Sequence, residues 1–200
     1  METVAPSLRS APALHVADFR PPGAPLPWFL LNREDAERAG DRLAAAVRSL
    51  PPSSLLSIDL SGVESRASCL AVLLSPPLRL IQSEDGTPQF PDRFLVLQGL
   101  GANARDAHLG LGVEGVIAIC RGGEGVSLIG KADRVVADTY HFARRHREVT
   151  SAIFTEAPFG LKISAANARV AKLHRLGLLR FLCEETLEGG GRRYVYQAVE

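Results

Sequence analysis

The side chains with the clearest chemical order lie between Lys162 and Leu176. Lys162, Ser164, Asn167, Arg169, Lys172 and Arg175 alternate there with Ile163, Ala166, Val170, Leu173 and Leu176. The apolar set recurs every three or four residues, which in a helix builds one stripe against a core. The polar set is left on the other side, with Ala168 keeping that surface shallow. Asn presents a donor and an acceptor that match adenine, Arg a fork that matches guanine, and both cation types neutralise phosphates. An apolar back and a short, polar, cationic front are what a helix needs to enter the major groove of duplex DNA. Asn167 and Arg169 are the base-edge candidates, and Lys172 and Arg175 the phosphate candidates. Arg192 and Arg193, which follow Gly190-Gly191, are placed to reach the backbone or the adjacent minor groove.

These residues need elements to hold them. Val135, Val136, Tyr140, Phe142 and Ala143 predict one long helix, with Arg144, Arg145 and Arg147 in its last turn, where the helix dipole favours cations. Thr150 is the expected cap of a short second helix through Glu156, ended by Pro158 and Gly160. Ser164 is the expected cap of a third helix running to about Leu176, with Gly177 closing it. Residues 178–183 and 193–198 read as two strands, joined by the acid- and glycine-rich stretch 184–191. Three helices followed by a two-stranded ribbon is the order of a winged helix. Charge points the same way. Residues 1–139 hold 13 Lys/Arg against 16 Asp/Glu, a formal −3, and residues 140–200 hold 10 against 6, a formal +4. A basic final third on a near-neutral chain implies an anionic partner.

The first 130 residues have another character. Pro6, Pro12, Pro21, Pro22, Pro25 and Pro27 make residues 1–27 an extended arm with room only for a short edge strand at 15–19. Asn32 caps a helix with Glu34 and Asp35 in its first turn, and Pro51-Pro52 stops it. Residues 55–60, 94–97 and 116–119 are strands apolar on both faces, hence central in a sheet. Helices are expected at 68–74, with 78–81 extending or following it, and at 103–109. The fold class is therefore α/β: an arm (1–27), a layered α/β domain (28–130) and a winged-helix domain (131–200).

Two stretches also resemble known families. The segment from Val149 through Leu161–Leu173, with Gly177-Leu178-Leu179-Arg180 and Gly190-Gly191-Arg192-Arg193-Tyr194-Val195-Tyr196, resembles bacterial winged helix-turn-helix regulators. That likeness implies double-stranded DNA as partner, usually bound by a dimer. Glu184, Glu185 and Glu188 in the wing depart from a purely basic loop. The stretch Ser57–Leu70, with the helix opening at Asn32, is similar to STAS-like domains related to anti-sigma factor antagonists. The likeness implies a regulatory or oligomerisation module with a kinase or anti-sigma-like partner, and Ser68 falls where that family is phosphorylated. Ala67 stands where the family carries Asp. The plain alternative for Ser68 is a helix cap, and for the winged helix a protein-docking role.

Other signals are weaker. Gly99-Leu100-Gly101 and the glycines of 122–125 complete no nucleotide-binding spacing and read as turns. His141 and His146 are five apart and share no helix face, so no metal pair is expected. Asp59 ends a strand with no catalytic partner at a telling spacing. No cofactor is implied, and a binding protein is expected rather than an enzyme. Cys69, Cys120 and Cys183, odd in number and far apart, suit reduced thiols. No apolar run reaches the ~18 residues of a membrane span, and no leader is apparent. The expected setting is cytoplasmic and nucleoid-associated. The function expected is a DNA-binding bacterial regulator. The rivals are a protein-interaction switch of the antagonist type and a sequence-tolerant repair or nucleoid factor.

Overall fold

The computed structural model describes residues 7–123 and 125–200. Pro6, with the rest of 1–6, and Glu124 in the 122–125 turn lie outside the described residues. The chain begins with two short strands, β1 (Arg9–Ser10) and β2 (Leu14–His15), then β3 (Trp28–Leu30) and helix α1 (Arg33–Ser49). Next come β4 (Ser54–Asp59), β5 (Val63–Ser65), α2 (Ala67–Ile81), β6 (Arg93–Gln98), α3 (Ala104–Glu114), β7 (Ile117–Gly122) and β8 (Gly125–Gly130). The rest is α4 (Arg134–Ala143), a 3-10 turn at Ser151–Phe154, α5 (Ile163–Arg175), β9 (Leu179–Thr186) and β10 (Arg192–Ala198). The architecture is mixed α/β.

The main sheet has the order β1-β4-β6-β7-β8, with β2 also pairing β4. All pairs are parallel except β7 with β8. The β8 hairpin takes in residues that the sequence presents only as turn glycines. The arm is fastened to the sheet. Residues 14 and 15 pair with Ile58 and Asp59, while 16–19, expected as strand, form a 3-10 turn that buries Val16 and Ala17.

Strand side chains alternate between faces, and here each face has its own core. Leu56, Ile58, Leu95, Leu97, Ala118 and Cys120 pack under α1, α2 and α3. Leu55, Phe94, Val96, Ile117 and Ile119 pack instead with Val136, Tyr140, Phe154, Ala166, Val170, Leu173 and Leu179. The strands are apolar on both faces because helices cover both, as their sequence predicts. The C-terminal segment is one of those covers. The boundary expected at 130/131 therefore coincides with a glycine turn and not with a break in packing. Gly130 has φ +94°, and an added Cβ there would lie 2.2 Å from the Val116 carbonyl oxygen.

Helix α2 runs through Pro76 and Pro77, although Pro76-Pro77 reads in the sequence as the stop of the run begun at Cys69. Each proline lacks the amide that would bond the carbonyl four residues back. Those two carbonyls, of Val72 and Leu73, face Gly40 of α1, where a Cβ would come within 3.0 Å of both oxygens. Close helix approach at a glycine thus covers the gap. Asn32 does cap α1, its Oδ1 accepting the Glu34 amide at 2.8 Å.

Four C-terminal expectations change. Ser164 is the second residue of α5, and the N-cap position belongs to Lys162, whose side chain makes no capping bond. Ile163, assigned to the core stripe, is 57% exposed, whereas Ala166, Val170, Leu173 and Leu176 are buried. Helix α4 ends at Ala143, so Arg144, Arg145 and Arg147 lie in the turn beyond it. The second element is the 3-10 turn, and Thr150 makes no side-chain cap bond there. Gly177 closes α5 as expected: at φ +68° its amide bonds His174 O and the Leu178 amide bonds Leu173 O. Among the described residues no helix is long and apolar enough to cross a membrane.

Candidate nucleic-acid interface

Helix α5 is held by its buried stripe against α4, the 3-10 turn and β9. Its other side leaves Lys162, Ser164, Asn167 and Lys172 exposed. Two of the helix's cations have a local engagement. The Arg169 guanidinium lies 5.4 Å from the Phe159 ring centroid. Lys172 Nζ is 3.1 Å from Asp133 Oδ2. Asp133 is also the cap of α4, accepting the Val136 amide at 2.7 Å. That bond first, against the opposing effect of burial, and then the Lys172 ammonium hold its carboxyl below the usual carboxylate value. Arg175 is half-buried, with its Nε shielded from solvent and unpartnered among the described residues. The free polar surface is therefore the N-terminal half of α5.

The ribbon of β9 and β10 is antiparallel, with a register shift between Val195 and Tyr196. Its two arginines are not free. Arg192 Nε is 3.0 Å from Glu184 Oε1, and the Arg193 guanidinium is paired with Glu185. Glu188 is exposed in the hairpin loop. The acids therefore screen the ribbon arginines, where the sequence shows only a mixed charge run.

Ser68 lies away from this surface. It is exposed in the first turn of α2, beside a groove of about 480 Å³ formed with α3. Ala71, Val72, Leu109 and Val113 line that groove. The cap position of α2 is Arg66, which makes no side-chain capping bond, so Ser68 is not the cap either. Asp59 acquires a partner that its spacing hides: His15 Nδ1 is 3.2 Å from Asp59 Oδ2. Burial would raise the Asp59 carboxyl, but Ser61 hydrogen bonds, the His15 charge and Gln98 bring it below its ordinary value. Asp59 Oδ1 accepts the Ser61 amide at 2.8 Å. Gly99 packs so close that a Cβ would stand 2.3 Å from Asp59 Oδ1. This is a braced turn. Cys69 and Cys120 are buried.

A second basic surface escapes the sequence patterns. Arg121, Arg144, Arg145, Arg147 and Arg180 come together around a cleft, from segments up to 59 positions apart. The one visible signal is the run Arg144-Arg145-His146-Arg147, which reads as a helix end favoured by the dipole.

The chain matches no protein-family model, and searches of curated proteins and of solved structures return no significant match.

Proposed function

We propose that the chain binds duplex DNA through the N-terminal half of α5, as a homodimer, in the manner of a bacterial winged-helix regulator. The sheet with α1–α3 then serves as the regulatory or oligomerisation module, of STAS-like kind. The observation that carries this reading is the division of α5: Ala166, Val170 and Leu173 are buried, while Lys162, Ser164 and Asn167 face out together. A helix so anchored presents donors and acceptors without losing its own packing. Pairing of two copies supplies the length of site that one short helix lacks.

Fluorescence anisotropy with duplexes selected from a random pool, over a salt series, tests it. Asn167→Ala is expected to weaken the selected site by about 1–3 kcal/mol and to spare random duplex. Lys172→Ala is expected to weaken all duplexes alike and to lower the salt slope by less than about one unit, because Asp133 already pairs its ammonium. Absence of binding at low salt, or binding indifferent to both changes, removes the reading. Uniform affinity for every duplex would instead mark a sequence-tolerant repair or nucleoid factor.

One observation favours a second reading, a protein-interaction switch of the antagonist type. Ser68 stands exposed beside the α2–α3 groove, with Arg33 also lining it. A phosphate at Ser68 adds about −1.5 to −2 charges in the first turn of a helix, where the dipole stabilises it, and alters whatever docks there. Partners retained from a bacterial lysate after nuclease treatment favour this reading, and partners lost favour DNA.

A further inference from the structure

The turn after α4 is clamped in place. Val149 and Tyr196 exchange backbone hydrogen bonds of 2.7 and 2.9 Å, which fixes the Arg144–Arg147 turn against β10. Beside it stand Arg180 at the base of the ribbon, Arg121 near the end of β7, and Leu8 and Ser10 around the first strand. Together they wall a cleft of about 500 Å³ with Leu55 among its lining. This volume lies in the range of small-molecule sites.

Its charge is unbalanced. Among the described residues Glu200 is the one acid lining the cleft, and its Oε1 is 3.6 Å from Arg144 Nε. Among the described residues Arg121, Arg145, Arg147 and Arg180 form no ion pair. Two guanidiniums are already oriented. Arg180 donates from Nε and Nη2 to Gln197 Oε1, at 2.9 and 2.5 Å. Arg144 donates from Nη1 to the Val126 carbonyl at 3.0 Å, and its Nε is shielded from solvent without a hydrogen-bond partner among the described residues. Burial also pulls Arg180 down from the ordinary arginine value, a cost that a bound anion offsets. Guanidiniums gathered around one cleft suit phosphoryl oxygens, which accept paired donors.

We propose that this cleft binds a diphosphate group, free or borne on a small molecule, held by Arg121, Arg144, Arg145, Arg147 and Arg180. This site is separate from α5 and rests on no reading of that helix.

Isothermal titration of the full chain with inorganic pyrophosphate, at physiological salt, tests the proposal. Binding is expected, weakened at least tenfold by Arg180→Gln and by Arg147→Gln, and unchanged by Arg105→Gln on α3. Arg147 is exposed, so its variant reports on binding even if Arg180→Gln disturbs the fold, which circular dichroism reads. ADP binding more tightly than pyrophosphate assigns a carried diphosphate, and pyrophosphate binding as well or better assigns the free ion. Three results overturn the site: no heat of binding up to millimolar pyrophosphate, equal competition by sulfate, or duplex DNA that displaces pyrophosphate and is itself weakened by Arg147→Gln. The last result would assign the cleft to a nucleic-acid surface. Failure of α5 to bind DNA, read with Asn167→Ala, leaves the pyrophosphate result standing.

Discussion

Arg192 and Arg193 each have a glutamate on the facing strand, whereas Arg121, Arg145, Arg147 and Arg180 around the cleft have no carboxylate partner among the described residues. All of these arginines except Arg121 belong to the basic final third in the simple charge count. The difference comes from register. An antiparallel ladder brings Glu185 directly opposite Arg193 and Glu184 diagonal to Arg192, so nearby acids cancel the ribbon's cations. The cleft gathers arginines from the end of a strand, a turn and the ribbon base, and their sequence neighbours do not follow them there. Formal charge in a segment is therefore a poor measure of charge available to a ligand.

The largest effect is expected from removing the core that the cleft turn shares with α5. Phe154 is fully buried, with its ring centroid 5.5 Å from those of both Phe142 and Phe159. Phe142 stacks near His146 in the cleft turn, and Phe159 carries Arg169 of α5. Phe154→Ala is expected to cost about 3–5 kcal/mol in urea denaturation. Pyrophosphate and duplex binding should decline together as the folded population falls. A loss below about 1 kcal/mol would mean that this aromatic cluster does not couple the cleft turn to α5.

A smaller change sharpens the contrast. Glu184→Gln with Glu185→Gln keeps the hairpin hydrogen bonds and removes both screening charges. If the ribbon meets DNA, duplex affinity should rise and the plot of log affinity against log salt should steepen by up to about two units. Stability should move by less than about 1 kcal/mol, because exposed ion pairs contribute little. Pyrophosphate affinity should stay the same. An unchanged salt slope would show that the ribbon stays clear of the duplex, leaving α5 to act alone.

Local patterns were legible in the sequence and assembly was not. The apolar strands at 55–60, 94–97 and 116–119, the Asn32 cap and the Gly177 closure follow from short-range chemistry, and each is present. The run through Pro76-Pro77 defeats a propensity argument because Gly40, more than thirty residues away, lets α1 cover the freed carbonyls. Ile163 fits the helical stripe by spacing, yet the helix begins there and the core has not yet closed over it. The candidate α5 face was visible because one helix carries it. His15 with Asp59, and the arginines of the cleft, meet only through the tertiary fold, and no local period encodes them.

The most delicate test concerns Lys172, which stands between the two cases: exposed on α5, yet paired with Asp133. Asp133→Asn removes the charge and keeps a side chain equally suited to cap α4. The stability cost at pH 7 should stay below about 1 kcal/mol, from the lost dipole interaction and an exposed pair. The sign with pH is set by the depressed carboxyl of Asp133. Its contribution is present above the ordinary carboxylate value of about 3.9 and is lost as pH falls through the lower folded value. The variant should therefore be slightly less stable than the native chain at pH 7 and nearly equal to it at pH 2, as read by urea denaturation. Freed of its partner, Lys172 should strengthen duplex binding and add up to about one unit to the salt slope. An equal cost at both pH values would place the effect in the cap geometry. Duplex affinity unchanged by the substitution would show that Lys172 takes no part in holding phosphate.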